Sequence, residues 1–169
     1  GREGSELATP RPKRPADALA LAREYYEDWY PSAGEFYDGY QFGMEKKRYK
    51  WAAFQLHQAT ERLYHTLLLT CTLYTPHSHN LENLRNQARK IDRRLVHVWP
   101  DDDRQSRRRF SLLKDAYVKA RYSKHYRISA EDLAWLGERV QELSAIVREV
   151  CTEKLAELER AAAPESSNI

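Results

Sequence analysis

RYKWAAFQLHQATERLYHTLLLTCTLY, residues 48 to 74, contains no Gly or Pro and is apolar around most of a helical circumference. Ala53, Leu56, Leu63, Leu67, Cys71 and Tyr74 recur at spacings that fit a 3.6-residue period, and Ala52, Phe54, Ala59, Leu68 and Leu73 widen that stripe. Only Gln55, Gln58, Arg62 and Thr66 form a polar strip. A helix from Arg48 to Tyr74 with so little polar surface must be covered by several others, so the rest of the chain reads as its packing partners.

On the N-terminal side, Leu19, Ala22, Tyr26 and Trp29 have helical spacing. Tyr30 precedes Pro31, and a residue before proline is disfavoured in the helical region, so the first helix is expected to stop there. Ser32 to Glu35 has the form of a capping box for a second helix bearing Phe36, Tyr37, Tyr40 and Met44. Gly39 and Gly43, four apart on it, permit a close helix approach at a cost in helix propensity. On the C-terminal side Thr75-Pro76 forces a turn. Asn80 can cap a helix whose apolar positions run Leu81, Leu84, Ala88, Ile91, Leu95 and Val98, with Pro100 ending it. Asp101 to Asp103 supply negative charge at the start of the next helix, which carries Phe110, Leu113, Tyr117 and Ala120. Ser129 and Asp132 cap the last, whose seam is Leu133, Leu136, Val140, Leu143, Val147 and Val150.

The expectation is an all-α, up-and-down helical bundle of five to six helices, with no strand pattern and no internal repeat. The chain of 169 residues suits one domain. Residues 1–15, with three prolines and four basic side chains, have linker composition; residues 16–160 form the helical domain; residues 161–169 read as a disordered tail. No apolar run reaches membrane-spanning length and the N-terminal stretch lacks a signal-peptide core, so a cytoplasmic protein with no membrane partner is expected. An opening Gly with no Met is what an excised or processed segment shows. Cys71 and Cys151 fall at apolar helical positions, which favours buried free thiols over a disulfide or a metal pair.

A net charge of +3 conceals a polarity. Residues 82–127 hold Arg85, Arg89, Lys90, Arg93, Arg94, Arg104, Arg107, Arg108, Arg109, Lys114, Lys119, Arg121, Lys124 and Arg127, whereas residues 16–39 and 131–159 are net acidic. Interleaved with Tyr117, Tyr122 and Tyr126, the basic segment reads either as a surface for phosphate or RNA, with tyrosines to stack on bases, or as two helices with solvated faces.

The stretch AAFQLHQATERLYHTLLLTCTLYTPHSHNLENL followed by LLKDAYVKARYSKHY resembles the HEPN family, the higher eukaryotes and prokaryotes nucleotide-binding domain. With its WYPSAGEFYDG lead-in it is most similar to the version joined to the C-terminal side of a minimal nucleotidyltransferase. The resemblance covers residues 16–155 and is carried by Gln58 to Leu63, His79-Asn80-Leu81 and Ala120-Arg121-Tyr122. It implies a helical bundle that pairs into a homodimer. It also implies either nucleotide or RNA binding beside a nucleotidyltransferase domain or partner, or metal-independent RNA cleavage of the toxin type.

Cleaving members use an Arg, then four to six residues, then a His, whereas here three residues separate Arg121 from His125. The pair still suits that chemistry, since a His exchanges protons with the attacking hydroxyl or leaving oxygen and an Arg neutralises the phosphate. The same two cations can instead close a helix C-terminus. Arg121 and His125 are therefore the candidate catalytic residues, and Arg107, Arg108, Arg121, Tyr122, Lys124, His125 and Tyr126 the candidate nucleotide- or RNA-binding set. If the helix from Asp102 runs through His125, Arg121 and His125 share a face; if it ends near Tyr122, they diverge.

His57, Glu61 and His65 are successive i, i+4 neighbours, a spacing open to metal ligation but better suited to a buried hydrogen-bond network. His77 and His79 flank Ser78 at a helix start, where capping or phosphate contact are the available roles. No metal or other cofactor is expected. Gly-rich phosphate loops, nucleophile elbows and nucleotidyltransferase motifs do not occur, so the segment is expected not to transfer nucleotides itself. Three functions follow as alternatives: a nucleotide- or nucleic-acid-binding dimerisation module, a metal-independent ribonuclease, or a purely structural dimerisation domain.

Overall fold

A computed structural model describes the backbone of residues 14–167 and the side chains of residues 14–163. The described residues form five α-helices, α1 (Pro15–Glu45), α2 (Tyr49–Thr72), α3 (Leu81–Ala88), α4 (Arg104–Tyr122) and α5 (Ala130–Ser167), with a 3₁₀ turn at Arg93–Leu95. There is no strand among the described residues. The central helix occupies the expected place. Ala52, Ala53, Leu56, Ala59, Leu63, Tyr64, Leu67 and Leu68 of α2 are all buried, and α1, α3, α4 and α5 all pack on it. Thr66, expected on the polar strip, is also buried and returns its hydroxyl to the Arg62 carbonyl. No helix among the described residues is long and apolar enough to cross a membrane.

The N-terminal half departs from the expected pair of helices. A single 31-residue helix runs straight through Pro31. Proline removes one backbone donor and its ring crowds the preceding turn, which costs about 3 kcal/mol in a helix interior. Here the ring is exposed, and three tyrosines fasten both sides of it to α5. Tyr30 Oη donates to the Ser144 carbonyl at 3.1 Å, Tyr37 Oη to the Gly137 carbonyl at 3.0 Å and Tyr40 Oη to the Leu133 carbonyl at 2.8 Å. Tertiary attachment thus overrides the local preference of Tyr30, and the Ser32–Glu35 capping box goes unused. Gly43 does allow a close approach to α2: a Cβ there would lie 2.8 Å from that of Ala52.

The helix expected to reach Val98 ends instead at Ala88. Its apolar residues still face the core, for Leu95, Val98 and Trp99 are fully buried. The backbone, however, is redirected at Asp92, whose carboxylate accepts from the Arg94 amide at 2.9 Å and caps the 3₁₀ turn. Arg94 also reaches Glu153 on α5 at 2.7 Å, tying the turn to the bundle. Trp99 closes this corner by donating its indole N–H to Tyr64 Oη at 2.9 Å.

The remaining start signals act as anticipated. Asn80 accepts from the Glu82 and Asn83 amides, Asp103 from the Ser106 amide, and Ser129 and Asp132 exchange reciprocal side-chain-to-amide bonds. The α5 seam from Leu133 to Val150 is buried throughout. That helix continues to Ser167, well into the stretch expected as a disordered tail, and Ala162 is buried. At the other end Pro15 opens α1, while residues 1–13 of the expected linker lie outside the described residues. Both cysteines are free, but only Cys151 is fully buried; Cys71 is half-buried at the end of α2.

Candidate nucleotide-binding site

The seven residues singled out in the sequence do not form one site. Arg107 and Arg108 stand at the start of α4 and Arg121 in its last turn, which at 1.5 Å per residue puts them about 20 Å apart. Both N-terminal arginines are already engaged: Arg107 donates to the Asp101 carbonyl at 2.8 Å, and Arg108 to Asp132 at 2.7 Å and Gln105 at 2.9 Å. Arg109 joins Arg108 on Asp132 at 2.9 Å. These bonds, with those from Ser129, hold the Asp132 carboxyl down at about 2 against the opposing effect of burial.

At the other end, α4 stops at Tyr122, and Ser123 takes an extended conformation. Arg121 and His125 therefore do not share a helical face. His125 is exposed in the following loop, where its amide bonds Ser123 Oγ. Lys124 is exposed too, its carbonyl accepting from Arg127. Tyr126, expected to stack on a base, is a core residue: its ring is buried and its hydroxyl donates to the Leu112 carbonyl at 2.6 Å. Burial pushes its pKa up.

Arg121 is organised differently from the rest. Its Nε and Nη2 donate to the Tyr117 carbonyl at 2.8 and 2.6 Å, which fixes the plane of the guanidinium. Three rings surround it, with its Cζ 4.6 Å from the centroid of Phe54, 4.8 Å from Tyr117 and 5.0 Å from Tyr122. Cation–π contact of this kind stabilises a cation without neutralising it. Arg121 remains exposed and Tyr122 is 75% exposed, so a positive charge with no ion pair among the described residues and an open aromatic face lie side by side.

Behind this face one carboxylate, Glu61, lies among three histidines. Tyr117 stacks on His79, centroids 4.2 Å apart and planes 12° off parallel, and also lies 5.3 Å from His57. His79 Nδ1 donates to Glu61 Oε1 at 2.9 Å. His57 Nδ1 stands 3.8 Å from the same oxygen and His65 Nε2 3.7 Å from Glu61 Oε2. His57 is fully buried; desolvation, relieved only in part by its bond to the His79 backbone, holds its pKa down at about 4, with the positive charge of Arg121 also contributing. His65 is likewise held at about 4, chiefly by burial. Neutral His57 donates through Nε2 to the His79 carbonyl at 3.1 Å, while its Nδ1 accepts from Gln58 Nε2 at 3.2 Å. The buried hydrogen bonds thus do not run directly between His57, Glu61 and His65 as their spacing suggested: Glu61 accepts from His79 and, at 3.5 Å, from Gln58, and His65 pairs with Thr75. Among the described residues no group of three or more His, Cys, Asp or Glu is placed to hold a metal ion.

His79 does not cap α3, since Asn80 and Ser78 do so. Its side chain is 57% exposed even though Nδ1 is fixed on Glu61. Nothing in the sequence around His79 pointed to Glu61, eighteen residues earlier. Nor did the helical period of α2 show that Phe54 would meet Arg121.

Fold and site together define a helical domain that presents a fixed cation and aromatic rings at the junction of α2, α3 and α4. Residues 26–155 match the family model of the HEPN domain, and the chain belongs to the HEPN family. No curated protein matches the sequence.

Proposed function

We propose that this HEPN domain binds a single-stranded nucleic acid or a nucleotide on the face formed by Phe54, Tyr117, Arg121 and Tyr122. The observation that carries the reading is Arg121: its charge has no carboxylate partner among the described residues, its orientation is set by the Tyr117 carbonyl, and Tyr122 lies open beside it. A phosphate can take the remaining guanidinium hydrogens while a base stacks on the neighbouring tyrosine. Phe42 and Trp51, packed edge to face 6.1 Å apart, and Val118 are exposed apolar side chains as well. Aromatic side chains of this kind suit pairing with a second copy, and the domain is read as a homodimeric, cytoplasmic docking module beside a nucleotidyltransferase domain or partner.

Fluorescence anisotropy with a labelled oligoribonucleotide and with a labelled mononucleotide tests the binding face. Arg121→Ala should weaken both at least tenfold and reduce the salt dependence of binding. Arg107→Ala, about 20 Å away along α4, should weaken only the oligonucleotide, because a mononucleotide cannot reach both ends of the helix. Equal affinity for wild type and Arg121→Ala would remove this face from consideration. No affinity for either ligand would leave the structural dimerisation reading.

A further inference from the structure

We propose that Cys71 and Cys151 form a peroxide-reactive thiol pair, in which Cys71 is the sulfur oxidised and Cys151 the sulfur that converts the product into a disulfide between α2 and α5. The pair lies about 25 Å along α2 from Phe54, so the inference is independent of the binding face above.

Three observations converge. First, the two thiols meet where α2 packs on α5. Both are free, and Cys151 donates a hydrogen bond to Cys71. Sulfurs in hydrogen-bond contact need only a small adjustment to reach bonding distance. Cys71 can supply it, because it lies in the last turn of α2, just before Leu73 ends the helix with a φ of 62°. Second, access is asymmetric. Cys71 is half-buried and lines a cleft of about 280 Å³ with Thr70, Lys154 and Leu158, and it borders a second cleft with Asp92 and Glu157. Cys151 is fully buried and lines neither. A small hydroperoxide therefore meets the Cys71 sulfur first. Third, the smaller cleft has unused polar capacity. Thr60, Thr66 and Thr72 each return their hydroxyl to the carbonyl four residues back, whereas the buried Thr70 hydroxyl makes no hydrogen bond to nitrogen or oxygen among the described residues and lies against the Cys151 sulfur. With the Lys154 ammonium, paired to Glu157 at 3.3 Å, it supplies donors beside the thiol for the oxygens of a peroxide. The hydrogen bond from Cys151, and secondarily the charge of Lys154, lower the pKa of Cys71 and favour its reactive thiolate.

The oxidant is a hydroperoxide, and two electrons pass to it from the pair. The Cys71 thiolate attacks the outer peroxide oxygen and the O–O bond breaks. The departing alkoxide, or hydroxide from hydrogen peroxide, takes a proton from water, and Cys71 becomes a sulfenic acid. Cys151 holds its proton while it donates to the Cys71 thiolate, which raises its pKa along with burial. Loss of that thiolate removes the larger restraint. The Cys151 sulfur then attacks the Cys71 sulfur, its proton leaves with the displaced hydroxide as water, and an S–S bond forms. The net change is two thiols and one hydroperoxide to one disulfide, one water and one alcohol or second water.

Peroxide treatment of the reduced whole chain, quenching with N-ethylmaleimide and intact-mass and non-reducing peptide analysis test the assignment. Wild type should lose about 2 Da, yield a peptide pair joined through Cys71 and Cys151, and recover both thiols with dithiothreitol. Cys151→Ala should stop at the sulfenic acid, a gain of about 16 Da that dimedone captures. Cys71→Ser should show neither change. Thr70→Val should slow peroxide oxidation of Cys71 while its alkylation by iodoacetamide keeps its rate. Circular dichroism shows whether each variant is folded, and the wild-type peptide map decides the pairing without them. Two thiols still open to alkylation after peroxide overturn the inference, as does a disulfide that joins two chains on a non-reducing gel. A folded Cys71→Ser oxidised at Cys151 as fast as wild type overturns it as well.

Discussion

Acidification from pH 7 to pH 4.5 should destabilise the fold through His57 and His65. Both imidazoles are neutral in the folded protein because burial lowers their pKa from 6.5 to about 4. The unfolded chain therefore binds protons between those two values that the folded protein refuses, so stability is complete above about 6.5 and falls as the pH drops toward 4. A shift of this size corresponds to about 3 kcal/mol for each residue. Even half that total is a substantial share of the roughly 5–15 kcal/mol that holds a domain of this kind together. Urea titrations followed by circular dichroism at a series of pH values measure the slope directly. His57→Gln and His65→Gln should each flatten it by up to one proton, whatever they do to stability at pH 7. Asp132 does not confound the window: its pKa is depressed to about 2, so its contribution is intact above about 3.8 and is lost only below that. A wild-type stability that stays constant from pH 7 to 4.5, or a slope unchanged in the double variant, would refute the argument that these imidazoles are held neutral by burial.

Gly137→Ala should cost about 1–3 kcal/mol, read as a lowered midpoint in thermal or urea unfolding, because a Cβ at that position would sit 2.7 Å from Tyr40 Cζ and displace the hydroxyl that bonds the Leu133 carbonyl. Cys71 should react with iodoacetamide well before Cys151 in the native protein, as judged by mass spectrometry of peptides. Cys71 is half-buried with its pKa lowered, mainly by a hydrogen bond from the Cys151 thiol and secondarily by Lys154, whereas Cys151 is fully buried with its pKa raised. Equal labelling rates would contradict that arrangement.

Much of the fold is local and was legible as such. The period of α2, the α5 seam and the caps at Asn80, Asp103 and Ser129 depend on residues within one or two turns of each other, and a linear pattern records interactions of that range. Family membership was legible for the same reason, since the segments around Gln58–Leu63 and Ala120–Tyr122 are contiguous. Pro31 shows where such reading ends. Its effect on the preceding residue is local, but the bonds from Tyr30, Tyr37 and Tyr40 that carry α1 across it go to residues about a hundred positions away. Asp92 redirects the chain before Arg93 even though the apolar period persists to Val98, because Arg94 fastens that turn to α5. Arg121 was recognisable as a cation at a helix end, but the backbone left the helix before His125 and buried Tyr126, which separated residues that the sequence had grouped. Packing of α2 against α4 and the loop before α3 then joined Arg121 to Phe54 and His79 to Glu61. The central and C-terminal helices, their order and the family follow from neighbours along the chain. Which charges meet was settled by packing alone, because a side chain's partner across the bundle depends on how helices dock and not on its spacing in the sequence.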